Sequence, residues 1–153
     1  MVMKIRTEGF KELDDALGEL SKAAGKGVLR RALLSAAQPM AALAKSYAPD
    51  DPNTGGFDLK SSIIAGTRLS RAQTKAHRKM FRDDRAAVEV FVGPGPLPQA
   101  IQQEFGNINH GPQPYLRPAF DQDARALVDR LGEELADEVT KSVARARRRA
   151  LKG

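Results

Sequence analysis

Pro112, Pro114 and Pro118 fall within one short stretch of the chain, and they constrain the fold more than any other feature. Each fixes its own φ near −65°, and each pushes the residue before it toward extended geometry. Tyr115, Leu116 and Phe120 are thereby held at set angles against whatever lies beneath them. Upstream, Gln99 to Phe105 has the pattern of a short helix that Gly106 ends. Downstream, the stiff segment launches a long helix. Ordering such a segment is unfavourable unless it is packed or bound. It is therefore either a crossover that seals one edge of the core or a surface that a partner covers.

The remainder of the chain reads outward from that point. Met3 to Thr7 alternates apolar and polar residues, as a short strand does. Phe10, Leu13, Leu17 and Leu20 recur at helical spacing, with Gly25 and Gly27 expected to interrupt the pattern. A long helix follows from about Lys26 to Ala48, with an apolar stripe through Val28, Leu29, Leu33, Ala36, Ala37, Met40, Leu43, Ala44 and Tyr47. Pro39 inside it predicts a kink, and its alanines permit close approach of a neighbour, with a sheet as the expected one. Pro49 to Gly56 is loop by composition. Leu59 to Leu69 and Ala86 to Gly93 read as two strands of an antiparallel pair. Between them, residues 70–85 form a basic insertion, a β-arm or a short helix, carrying Arg71, Lys75, Arg78, Lys79, Arg82 and Arg85 against only Asp83 and Asp84. After Pro118, Phe120, Ala124, Leu127, Val128, Leu131, Leu135, Val139 and Val143 make one apolar stripe. That helix is acidic early and basic late, as the helix macrodipole favours. The stripe stops before Arg145, Arg147, Arg148 and Arg149, so the tail over 141–153 is expected to fray or to bind something. The predicted fold is α+β. A small, mostly antiparallel sheet packs against the long kinked helix and the long C-terminal helix, in a single domain over 1–153.

Composition narrows the function. The 153 residues contain no Cys and no Trp, and aromatics are 5%. Disulfides, thiolate zinc sites and Cys nucleophiles are thus excluded. His77 and His110 have no acid at ligand spacing, so no metal or cofactor is expected. Asp50 and Asp51 are paired carboxylates, but they lie in a turn-rich loop without a third acid or a His nearby. Gly93 to Pro98 lacks the Lys-Ser/Thr pair of a phosphate loop, and its prolines remove amide donors. No catalytic residue is assigned and no enzyme is expected. No apolar run approaches the ~18 residues of a membrane span, and Met1 to Arg6 has no signal-peptide layout, so synthesis in the cytoplasm is the expectation. The net charge of +6 permits nucleic acid or an acidic partner without choosing between them.

Glu104-Phe105-Gly106 followed by Pro114-Tyr115-Leu116-Arg117-Pro118-Ala119-Phe120 resembles the signature of a tailed-phage family. Its members are head-to-tail joining or tail-completion proteins of siphophages, prophages and gene-transfer agents. Gly9 to Leu13, the helix ending in Ala48-Pro49, and Thr54-Gly55 with Leu59 and Ser62-Ile63 match in order and spacing. Asn107, where a Thr or Ser is usual, and the basic insertion depart from the pattern. The resemblance implies a structural neck protein of the virion, assembled in the host cytoplasm. It would form a ring of six copies between the head connector or stopper and the tail terminator or tube. Double-stranded DNA would pass through the lumen. Glu104, Phe105, Gly106, Pro114, Tyr115, Leu116, Arg117 and Pro118 would form the interface or structural motif.

Arg117 either satisfies buried carbonyls or pairs with Glu104, or else contacts a neighbouring subunit. Arg71, Lys75, Arg78, Lys79, Arg82, Arg145, Arg147, Arg148 and Arg149 are a solvated face or a contact to DNA or a partner. If they contact DNA, they would read phosphate rather than sequence, because no helix-turn-helix, finger or ribbon signature is present. Two alternatives follow: a sequence-independent DNA-binding protein and, on much thinner grounds, a small enzyme or toxin whose triad is scattered along the chain.

Overall fold

The computed structural model describes residues 22–50, 58–83 and 88–153. The expected strand at Met3 to Thr7, the helix over Phe10 to Leu20 and Thr54-Gly55 lie outside them. In chain order the elements are α1 (Lys22–Tyr47), α2 (Leu59–Ser62), β1 (Ile64–Gly66), α3 (Arg71–Met80), β2 (Phe91–Gly93), α4 (Pro98–Phe105) and α5 (Leu116–Lys152). The class is α+β, as read from the sequence: two long packed helices, with a small antiparallel sheet against the first of them.

α1 and α5 run antiparallel, cross-linked by Arg31 to Glu138 (2.9 Å), Ser35 Oγ to Glu134 (2.9 Å) and the Tyr47 hydroxyl to Gln122. Both helices bury every fourth residue, the spacing that places side chains on one row. On α1 the buried row is Val28, Ala32, Ala36, Met40 and Ala44, with Ala48 buried just beyond its end. On α5 it is Ala119, Asp123, Leu135 and Val139, with Leu127 and Leu131 half-buried between them. Alanine on α1 lets the two backbones come close. The sheet also lies against α1, but the alanine row serves chiefly the α1–α5 contact. One end of the core gathers Ala44, Ala48, Leu59, Ile63, Ala100, Tyr115 and Ala119. The other gathers Val28, Ala32, Leu135 and Val139.

Several sequence expectations are corrected. Gly25 and Gly27 do not interrupt α1, which runs through both. A helical glycine is only ~1 kcal/mol worse than alanine, and the packing that begins at Val28 outweighs it. Leu59 to Leu69 is not one strand. The Asp58 carboxylate accepts the Ser61 amide at 2.6 Å, a capping bond that starts the turn α2, and only Ile64–Gly66 is extended. β2 is likewise shorter than Ala86 to Gly93. It pairs Ile64 with Gly93, Ala65 with Val92 and Gly66 with Phe91, and beyond Gly66 its partner turns away into α3. Val88 and Val90 point apolar surface inward without a ladder to join. The insertion is a helix rather than a β-arm. Ser70 and Gln73 form a reciprocal capping box, each side chain bonding the other's backbone amide. Phe120 and Tyr47, expected in buried stripes, are exposed; Ala119 and Ala44 take the inward positions. The basic tail does not fray, because α5 continues to Lys152. Its Ala, Arg, Leu and Lys residues are strong helix formers, and bases suit a helix C-terminus.

Pro39 has no amide to offer the carbonyl one turn back. At that level, the neighbouring carbonyl of Ala36 is taken by Arg130 from α5, through Nε at 3.2 Å and Nη2 at 3.0 Å. The same guanidinium holds the Asp123 carboxylate in a fork, with Nη1–Oδ1 at 3.0 Å and Nη2–Oδ2 at 2.5 Å. Asp123 is buried and so requires a partner.

Candidate assembly surfaces

The Glu104 motif joins the end of α4 to the start of α5. A helix start leaves backbone amides unpartnered, and α5 begins with Tyr115 as its cap residue and no side-chain bond of its own. Glu104, at the end of α4, supplies the missing acceptor. Oε2 takes the amides of Tyr115 (2.8 Å) and Leu116 (3.0 Å), and Oε1 takes that of Arg117 (3.0 Å). Pro118 follows with no amide to satisfy. Burial pushes the Glu104 carboxyl up, but the three amides and the nearby Arg117 charge outweigh it and hold the group below its ordinary value. Tyr115 is fully buried beneath this cap, its hydroxyl donating to the Ala100 carbonyl at 3.2 Å. Burial and the Glu104 charge push its phenol up to about 12. Both Glu104 oxygens are thus occupied by backbone, and among the described residues the Arg117 guanidinium forms no ion pair. Glu104 is hydrogen-bonded to the Arg117 amide, and the guanidinium acts on it only as a nearby charge.

The loop that joins α4 to α5 is tightly built. Gly106 sits at φ 79°, and a Cβ there would come within 2.8 Å of the Pro112 nitrogen. Asn107 Oδ1 accepts the amides of Asn109 (2.8 Å) and His110 (3.0 Å), and the Asn107 amide reaches the His110 carbonyl at 3.0 Å. The Gln113 amide reaches the Gln103 carbonyl at 2.7 Å. This loop holds Ile108 fully in solvent at 100% exposure, beside Phe105 at 66%, and Ile101 one turn back on α4 at 70%. An apolar groove opens elsewhere, between α1, β2 and the first turns of α5. Leu33, Met40, Val92, Leu116, Phe120 and Leu127 line it, and Arg117 stands in its wall.

The basic residues fall into two separate groups. On α3, Arg71, Lys75, Arg78 and Lys79 are exposed, as is Arg82 just beyond it. At the far end of α5, Arg145, Arg147, Arg148 and Arg149 are exposed. His77 faces the other way: its ring lies edge-on to Phe91, tilted against Phe81, with Nε2 3.6 Å from Glu89. His110 Nδ1 contacts the Gly111 carbonyl. Among the described residues no group of acids and histidines could hold a metal ion, and no helix is long and apolar enough to cross a membrane.

Two features escaped the sequence reading. An aspartate at position 123, in the apolar row between Ala119 and Leu127, was the available sign of the Asp123–Arg130 pair. Ile108 gave no sign, since a lone apolar residue among Asn, His and Gly belongs to no pattern.

What this chain offers lies on its outside: an ordered apolar loop, a shallow groove and two basic faces, the features of a protein that works by assembly with others. Residues 11–106 match the HK97-gp10-like family, described as a tail component of bacteriophage HK97-gp10 type. The chain belongs to that family, a tail-related structural component of phage particles, and its place is the virion. The match takes in the basic insertion and ends at Gly106, so the Pro114–Phe120 segment lies beyond it. No curated protein and no solved structure matches the chain.

Proposed function

We propose that the protein completes the head–tail joint of a siphophage-type particle. Six copies form a ring between the head connector and the upper end of the tail tube, and DNA passes through the lumen. One observation carries this reading beyond family membership: an ordered loop presents Ile108, with Phe105 and Ile101, to solvent. Exposed apolar side chains on a preorganised backbone lose little entropy on binding, which favours docking to another protein surface. Glu104, Gly106 and the Pro114–Pro118 segment serve the joint by building that loop and the helix start beside it. Arg145, Arg147, Arg148 and Arg149 would meet DNA phosphates in the lumen.

The test is deletion of the gene in its own genome, with electron microscopy of the particles released. Filled heads and finished tails lying apart support the reading. Normal joined particles, or no particles at all, overturn it. A second reading, sequence-independent DNA binding, is favoured by the helical, exposed basic end of α5. It predicts duplex binding by the isolated chain that falls steeply with salt.

A further inference from the structure

Four bases lie on one side of α3, and Arg82 follows just beyond the helix. At 100° per residue, positions 71, 75, 78 and 79 span an arc of about 100°. The half-buried Gln73, Thr74 and His77 lie on the other side. That side is fastened down: Gln73 Nε2 donates to the Pro94 carbonyl at 3.4 Å, and His77 packs on Phe91. Among the described residues none of the five bases has an ion-pair partner. The helix therefore holds its charge outward on a fixed base.

α5 carries the counterpart. Asp121, Arg125, Asp129, Glu133 and Asp137 recur every four residues, two positions out of step with the buried row that begins Ala119, Asp123 and Leu127. Two positions are 200° of rotation, so this row points away from α1. Asp121, Asp129 and Glu133 have no ion-pair partner among the described residues. Arg71, Lys75 and Lys79 repeat at the same interval as Asp129, Glu133 and Asp137, about 6 Å per step along either helix.

We propose that the basic side of α3 in one copy lies along the acidic row of α5 in a second copy. The inference rests on the multi-copy reading above and names the surfaces that meet. Charge and spacing match, and among the described residues the bases of α3 and the acids Asp129 and Glu133 have no ion-pair partner, while Asp137 is held by Lys141 at 2.6 Å. A DNA duplex would satisfy the bases alone, leaving the acids without a partner. The two surfaces differ, so the contact is head-to-tail, the type that generates rings. Exposed ion pairs are individually weak. Here they set direction, because α3 against α3 and α5 against α5 are both repulsive. Met80, 76% exposed at the end of α3, adds apolar contact area.

The test uses two full-length variants, R71E/K75E/K79E and D129K/E133K, in sedimentation velocity at low salt. Each is expected to remain folded by thermal melting, since every altered side chain is exposed. Wild type associates, each variant alone does so at least about tenfold more weakly, and the equal mixture recovers, because every contact in an alternating assembly is again complementary. Carbodiimide should join Lys75 or Lys79 to Asp129 or Glu133 between isotopically distinct copies. Association unchanged in both variants overturns this interface and leaves the multi-copy reading standing. Folded variants that do not rescue each other also overturn it. So does a wild type with neither association nor these cross-links, and particles from the gene deletion then judge the joint separately. Loss of duplex binding in R71E/K75E/K79E with assembly intact overturns it in favour of nucleic acid.

Discussion

Glu104 Oε2 accepts the backbone amide of Tyr115 at 2.8 Å, so the last turn of one helix supplies the N-terminal cap of another. The carboxylate accepts three amides in all. Glu104→Gln keeps the shape but turns an NH2 toward donors, leaving a buried amide unsatisfied. The expected loss is ~1–3 kcal/mol in urea denaturation. The pH dependence follows from the direction of the shift. The folded carboxyl is held below its ordinary value, so the unfolded chain binds the proton more readily. Glu104 therefore stabilises above the ordinary glutamate range and loses that contribution as pH falls below roughly 4.3 through the folded value. Melting curves for wild type and Glu104→Gln should converge in acid. A gap that stays constant with pH would show that the charge plays no part.

Gly106→Ala tests the loop beneath that cap. The residue adopts φ 79°, where an L side chain is strained, and the added Cβ would press on the Pro112 nitrogen, which is backbone and cannot swing away. A destabilisation of at least about 1 kcal/mol is expected. An unchanged midpoint would mean that the turn relaxes freely, and Ile108 would then not be preorganised.

Arg130 ties α5 to α1 through the Ala36 carbonyl and holds the Asp123 carboxylate of its own helix with the same guanidinium. Arg130→Met removes all four of these hydrogen bonds and leaves a buried carboxylate. We expect ~1.5–3 kcal/mol of lost stability, the range for hydrogen bonds to charged groups. Replacing Asp123 by Asn as well should recover part of it, since the unpaired charge is then gone. Additive losses in a double-mutant cycle would contradict a shared network.

Ala36→Leu tests the small-residue row. A Leu at a buried position facing α5 has no space unless the helices separate, and overpacking of this kind costs about 1–3 kcal/mol. Ala42→Leu, on the exposed side of the same helix, should change stability by less than about 0.5 kcal/mol. Equal effects at the two positions would mean that α1 and α5 do not approach closely there.

What the sequence made legible is what repeats or punctuates. The stripes of α1 and α5 repeat, and Gly106 and the three prolines punctuate, so both long helices and the end of α4 could be placed. The strands were overextended because Val88, Val90 and Val92 alternate whether or not a partner lies beside them. Pairing is non-local, and the partner strand stops at Gly66 when Ser70 caps the next helix. Glu104 was recognisable as part of a motif, but its role was not. A side chain that caps a helix starting twelve residues later leaves no local spacing to read. The bases of the insertion were legible as a group, whereas the helix that carries them, the side they share and their lack of ion-pair partners among the described residues required the fold.

Ile108→Asp separates assembly from folding. Ile108 is fully exposed, and its loop is held by Asn107, Gly106 and the Gln113–Gln103 bond rather than by its own side chain. The variant should therefore melt within about 0.5 kcal/mol of wild type. A carboxylate placed in an apolar contact must be desolvated without a partner, which is strongly unfavourable. In a gene-deletion background complemented with Ile108→Asp, heads and tails should accumulate unjoined. Ile108→Leu, which keeps the apolar surface, should restore joined particles. Full joining by the Asp variant would remove the loop from the interface and leave the apolar groove beside Arg117 and Phe120 as the surface to vary next. Failure of both variants, with normal stability, would mean that the loop is read by shape rather than by its apolar character.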